Sequence, residues 1–157
     1  MNYAAALLGA ASLALAGSFV ARAEVFLPLS VIEPVNDEAI AQGMPRLLSH
    51  YRFFRDASAQ IPVDSVTPYR LNTPLFSDGA EKLRFVYLPE GTAMAAQGEG
   101  LPEFPVGTAL IKTFAFEQDG QRRLIETRVL LHRADGWLAL PYMWNEEQTD
   151  ARLAIAG

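Results

Sequence analysis

The chain has 157 residues, room for one domain of ordinary size, and half of them are hydrophobic. Its 13 basic and 18 acidic residues leave a net charge of −5, and with no basic run to oppose that balance nucleic acid is not an expected partner. With no cysteine, the sequence excludes disulfides, thiolate metal sites, iron–sulfur clusters and CxxCH haem attachment within itself.

Residues 4–20 form an apolar run followed by Ala21-Arg22-Ala23, the small-residue pattern of a signal-peptidase site. This predicts a secretory signal peptide over 1–23, cleaved after Ala23, and a periplasmic or secreted location. The run is shorter than the roughly 20 residues of a membrane span, so none is expected to remain after cleavage. Loss of Arg22 takes the 13 basic residues to 12 against 18 acidic, a net of −6. A leader at 24–44 follows, in which Asn36-Asp37-Glu38 can cap a short helix ended by Gly43 and Pro45. Residues 45–157 are read as a β-rich domain.

Leu47, Leu48, Tyr51 and Phe54 share one helical face, which predicts a short helix near 46–55. Prolines at 62, 68 and 74 rule out an interior strand over 61–77 and predict an ordered loop pinned by Tyr69, Leu71, Leu75 and Phe76. Lys82 to Leu88 alternates as a strand with Leu83, Phe85 and Tyr87 on one side. Residues 92–100 form a small-residue loop, and Ala151 to Ile155 begin another strand.

Gly107 to Asn145 reads as three antiparallel strands joined at Asp119-Gly120 and Asp135-Gly136, the residue pair that favours two-residue hairpin turns. The first turn pairs Phe116 with Arg123, Phe114 with Ile125, Lys112 with Thr127 and Leu110 with Val129. The second pairs Leu131 with Leu140, Val129 with Tyr142 and Thr127 with Trp144. Together they place Leu110, Phe114, Phe116, Ile125, Val129, Leu131, Leu138, Leu140, Tyr142 and Trp144 on one buried face. The expected fold is mostly β, an antiparallel sandwich or open barrel with the one short helix.

Seven residues are candidates for a polar or ligand site: Asp78, Lys82, Arg84, Lys112, Glu126, Arg128 and Trp137. The register puts Lys112 on the apolar face, where an ammonium needs a carboxylate or several carbonyls to meet it. It puts Glu126, Arg128 and His132 on the opposite face, so an acid–base site joining Lys112 to Glu126 is not expected. Asp78, Glu81, Lys82 and Arg84 follow the proline-rich loop and read as a local salt-bridge cluster. Trp137 offers a stacking surface. The two histidines, His50 and His132, lie on unrelated segments, and neither a nucleophile elbow nor a glycine-rich phosphate loop is present. No catalytic, cofactor or metal residues are assigned.

The strings LSHYRFFRD (48–56), PYRLNTPLFSDGAEKLRFVYLPEG (68–91), FPVGTALIKTF (104–114), RRLIETRVLLHR (122–133) and GWLALPYMWNEEQTDARL (136–153) resemble the N-terminal region of an exported bacterial family of diheme c-type cytochromes. That region is otherwise known as a domain of unknown function. The family continues into a haem-bearing part with CxxCH motifs, and some relatives pair the region with PQQ-type sugar dehydrogenase domains. This sequence carries no CxxCH, so no haem-binding residue transfers to it. Haem would belong to a downstream or partner segment, and the chain is expected to be a split, truncated or standalone form of the region. The resemblance implies an exported, non-catalytic β domain that supports or docks a periplasmic c-type cytochrome or dehydrogenase. The alternative expectation is a small-ligand or carbohydrate-binding module using Trp137, Tyr142 and the loop at 70–84.

Overall fold

Asp119 and Gly120 take φ values of 54° and 74°, the paired positive angles that close a two-residue hairpin with the twist of its strands. They join β5 (Ala109–Gln118) to β6 (Gln121–Arg133), which leads to β7 (Gly136–Trp144). β3 (Val66–Pro68), β4 (Glu81–Tyr87) and β8 (Ala151–Leu153) complete an antiparallel meander in the order β3-β4-β5-β6-β7-β8. β1 (Phe54–Asp56) and β2 (Ile61–Pro62) form a separate two-stranded sheet. The architecture is mostly β with open antiparallel sheets, as expected. This computed structural model describes residues 33–73, 79–96, 98 and 100–154. The expected signal peptide at 1–23 and the start of the leader lie outside the described residues, as do Leu75, Phe76 and Asp78.

One face of the meander carries the core. Tyr87, Phe85, Ile111, Val129, Leu131, Leu140 and Tyr142 are buried there, with Leu138 and Trp144 packed against them. The segment before the sheet covers this face. α1 (Asp37–Ala41) starts at Asn36, whose side chain accepts from the Ala39 amide, and it buries Ala39 and Ile40. A 3-10 turn over Leu48–Tyr51 buries Leu48 and Tyr51. Tyr51 stacks on Phe53 at 5.0 Å and meets Tyr142 edge-on at 6.0 Å.

The helix expected near 46–55 is therefore a single turn. Arg52 leaves it in the left-handed region at φ 59°, and Phe54 already belongs to β1. The loop expected over 61–77 contributes β2 and β3, and β3 sits at the sheet edge, where Pro68 removes no ladder donor. Tyr69 and Leu71 are exposed rather than buried, and the loop is held at this point by the Tyr69 amide, which donates to the Arg84 carbonyl at 2.9 Å.

Two register expectations are corrected. The first hairpin pairs as expected from Gln118↔Gln121 to Ala115↔Leu124, then shifts so that Phe114 faces Glu126, Lys112 faces Arg128 and Leu110 faces Leu130. Ile125 is the extra residue of this bulge. The buried side of β5 is accordingly Ala109, Ile111, Thr113 and Ala115, while Leu110, Lys112, Phe114 and Phe116 face outward and Ile125 is exposed. The small inward residues leave room for the aromatic rings across the core. At the second hairpin Arg133 pairs with Gly136, so the turn is Ala134-Asp135, one residue early, and Gly136 opens β7 at φ 123°. That moves cross-strand partners by two, an even shift, and the inward side of β7 stays as expected.

Candidate functional site

The bulge decides what the outer face displays. Successive outward residues of each strand line up with those of its neighbours, so the face reads as three rows across the sheet. Val86, Leu110, Leu130 and Ala139 make an apolar row. Arg84, Lys112, Arg128 and Pro141 make the next, which is cationic. Lys82, Phe114, Glu126, Met143 and Arg152 make the third.

Six candidate site residues thus share one face, where the sequence-based register had separated Lys112 from Glu126 and Arg128. Lys112 is not on the apolar face, and the carboxylate or carbonyls expected to meet it there do not. Its Nζ stands 4.6 Å from the centroid of the Phe114 ring, and Arg128 Cζ stands 4.9 Å from the same ring. A cation is attracted to the negative face of an aromatic ring, so Phe114 acts as a shared platform for both. Arg128 donates through Nε and Nη2 to the two oxygens of Glu126 at 2.8 and 3.0 Å. Partial burial, then the charges of Arg84, Lys82 and Arg128, hold Lys112 below the usual lysine range, and Glu126 pulls only weakly the other way.

Arg84 donates to the Lys82 carbonyl at 3.2 Å. Beside it, past the end of β3, an open depression of about 900 Å³ is lined in part by Gln60, Tyr69, Arg70, Lys82, Arg84 and Arg122. Glu81, expected in a local charge cluster with Asp78, Lys82 and Arg84, accepts two hydrogen bonds from Arg122 at 2.7 and 2.9 Å.

Trp137 occupies the other end of the face. Its ring stacks on His132 at 4.5 Å and meets Phe104 edge-on at 6.0 Å, and it remains 46% exposed. His132 Nδ1 lies 3.1 Å from the Pro105 carbonyl. Tyr142, grouped with Trp137 in the alternative binding reading, is buried on the other face and bonds Tyr51 and the Pro45 carbonyl. The two cannot line one site. No cluster of three metal-ligating side chains occurs among the described residues.

Phe114, Leu130 and Met143 belong to this face and were missed by sequence reasoning, which had Phe114 in the core. One signal was available: Lys112 and Phe114 lie two apart on a strand and share a side, and a lysine argues for the outside. Scans against family models, curated proteins and solved structures returned no match for the chain.

Proposed function

We propose that the chain is an exported, non-catalytic β module that docks a periplasmic electron-transfer partner, a c-type cytochrome on a downstream or separate segment, through the outer face of its sheet. The observation that carries the docking is the asymmetry of the sheet. The inner face is closed by the preceding segment, whereas the outer face leaves Leu130, Trp137 and Met143 between 37% and 46% exposed beside a cationic row. Exposed apolar groups flanked by charge are the usual composition of a protein contact. The row fits a partner surface that is acidic where it meets Arg84, Lys112 and Arg128, because complementary potential speeds encounter and fixes orientation. The signal-like N-terminus and the resemblance of the long strings to the cytochrome family supply the cellular context.

The test is a titration of the signal-free chain against the periplasmic c-type cytochromes of its source organism, at low and at physiological salt. Binding that weakens with salt and is lost in Leu130→Glu supports the reading. Absence of binding at low salt rejects it.

A further inference from the structure

Three cations in one register row are costly in an acidic chain. Arg84, Lys112 and Arg128 are direct cross-strand neighbours on β4, β5 and β6, the arrangement in which like charges destabilise a sheet. The one carboxylate among them, Glu126, has both oxygens engaged by Arg128. Among the described residues no carboxylate stands within ion-pair reach of Lys112 or Arg84. The Phe114 ring offsets part of the repulsion and does not neutralise it.

We propose that Arg84, Lys112 and Arg128 form a binding site for a small oxyanion, a carboxylate or phosphate group, seated beside the Phe114 ring. Guanidinium groups present N–H donors in a planar fork that matches two oxyanion oxygens, and the ammonium adds a compact charge between them. The contacts to Glu126 use Nε and Nη2 of Arg128 and leave Nη1 for a ligand. The neighbouring hydrogen bond of Arg84 uses only its Nη1. Leu110 and Val86 in the adjoining row border one side of the site with apolar surface. An anion here also explains how the sheet tolerates the row: it offsets the repulsion from Arg84, Lys82 and Arg128 that, after partial burial, holds Lys112 below its usual pKa. The inference stands apart from the docking reading, since a small anion needs no macromolecular partner.

The experiment titrates the signal-free chain with sodium citrate and with inorganic phosphate at constant ionic strength, with chloride as the reference. Calorimetry reads affinity, and side-chain NMR reads the Lys112 pKa. Saturable binding of citrate, phosphate or both is expected, with a rise in the Lys112 pKa on saturation. Citrate alone identifies a carboxylate ligand, and phosphate alone a phosphate group. Arg84→Gln and Lys112→Gln should each weaken binding by about tenfold, the scale of one charge-assisted contact. The proposal fails if neither anion binds beyond chloride, or if both variants bind as tightly as the parent. An unmoved Lys112 pKa at saturation overturns it without recourse to any variant.

Discussion

At the scale of single residues, the interior of the sheet contains a polar knot whose members are unequal. Thr113 and Thr127 face each other across β5 and β6, fully buried, with their hydroxyl oxygens 2.8 Å apart. Trp144 Nε1 donates to Thr127 Oγ1 at 2.9 Å, so Thr127 serves two partners and Thr113 serves one. Thr127→Val strands both and should cost about 1–3 kcal/mol, whereas Thr113→Val leaves the indole bond intact and should cost less. Urea denaturation of the two variants measures the order, and the reverse order would contradict the geometry. The buried tyrosines give a pH dependence. Burial, then the hydrogen bond with Tyr51, pushes Tyr142 well above the ordinary tyrosine value of 10.0, and burial with the Asp37 hydrogen bond does the same to Tyr87. Above that value the unfolded chain gives up protons that the folded chain retains. The contribution is therefore complete below pH 10.0 and is lost as pH rises further. Stability followed by denaturant midpoint should fall in that alkaline window, and the fall should be shallower in Tyr142→Phe.

At the scale of elements, the bulge at Ile125 is the feature on which the face assignment turns. It makes Ile111 core and Phe114 surface, although a larger aromatic is ordinarily the better core residue. Ile111→Ala should cost about 2–5 kcal/mol through lost burial and a cavity. Phe114→Ala should cost about 1 kcal/mol or less. If thermal or urea unfolding found Phe114 the costlier of the two, the uninterrupted register would be right and the bulge wrong. This is also where sequence legibility ended. The hairpin at Asp119-Gly120 was readable because its residues demand positive φ, and the inward set of β7 survived because an error of two in register keeps parity. A bulge flips parity, and the one warning on β5 was the charge of Lys112: each of its alternating sets holds three apolar residues and one polar, Lys112 or Thr113. The candidate residues themselves were legible from their chemistry. Their convergence on one face was not, because it depends on one extra residue whose type carries no signal.

At the scale of the whole molecule, the covering segment is tied to the sheet largely through polar hooks at its turns. Arg133, at the end of β6, donates from Nε to the Ile40 carbonyl at 2.8 Å and from Nη2 to the Gly43 carbonyl. Ile40 lies in the last turn of α1, where carbonyls lack partners from the helix itself, and a cation also suits that end of the helix dipole. Tyr87 reaches Asp37 at 2.6 Å, Tyr142 reaches the Pro45 carbonyl at 2.9 Å, and the Leu153 amide reaches the Arg46 carbonyl at 2.9 Å. These bonds set where the segment sits over the core, while Ile40, Leu48 and Tyr51 supply the apolar burial that holds it down. Arg133→Gln should remove the guanidinium contacts at a cost of about 1.5–3 kcal/mol, the range for hydrogen bonds to charged groups. The loss should be local first. Backbone amides of Gln42 and Gly43, which close the end of α1, should exchange with solvent faster, while those of β5 and β6 keep the protection set by global unfolding. Hydrogen exchange read by mass spectrometry separates the two regions. Uniform acceleration across the chain would mean that the segment and the sheet unfold as a single unit, and that Arg133 is part of the core's cohesion rather than the hook that seats its cover.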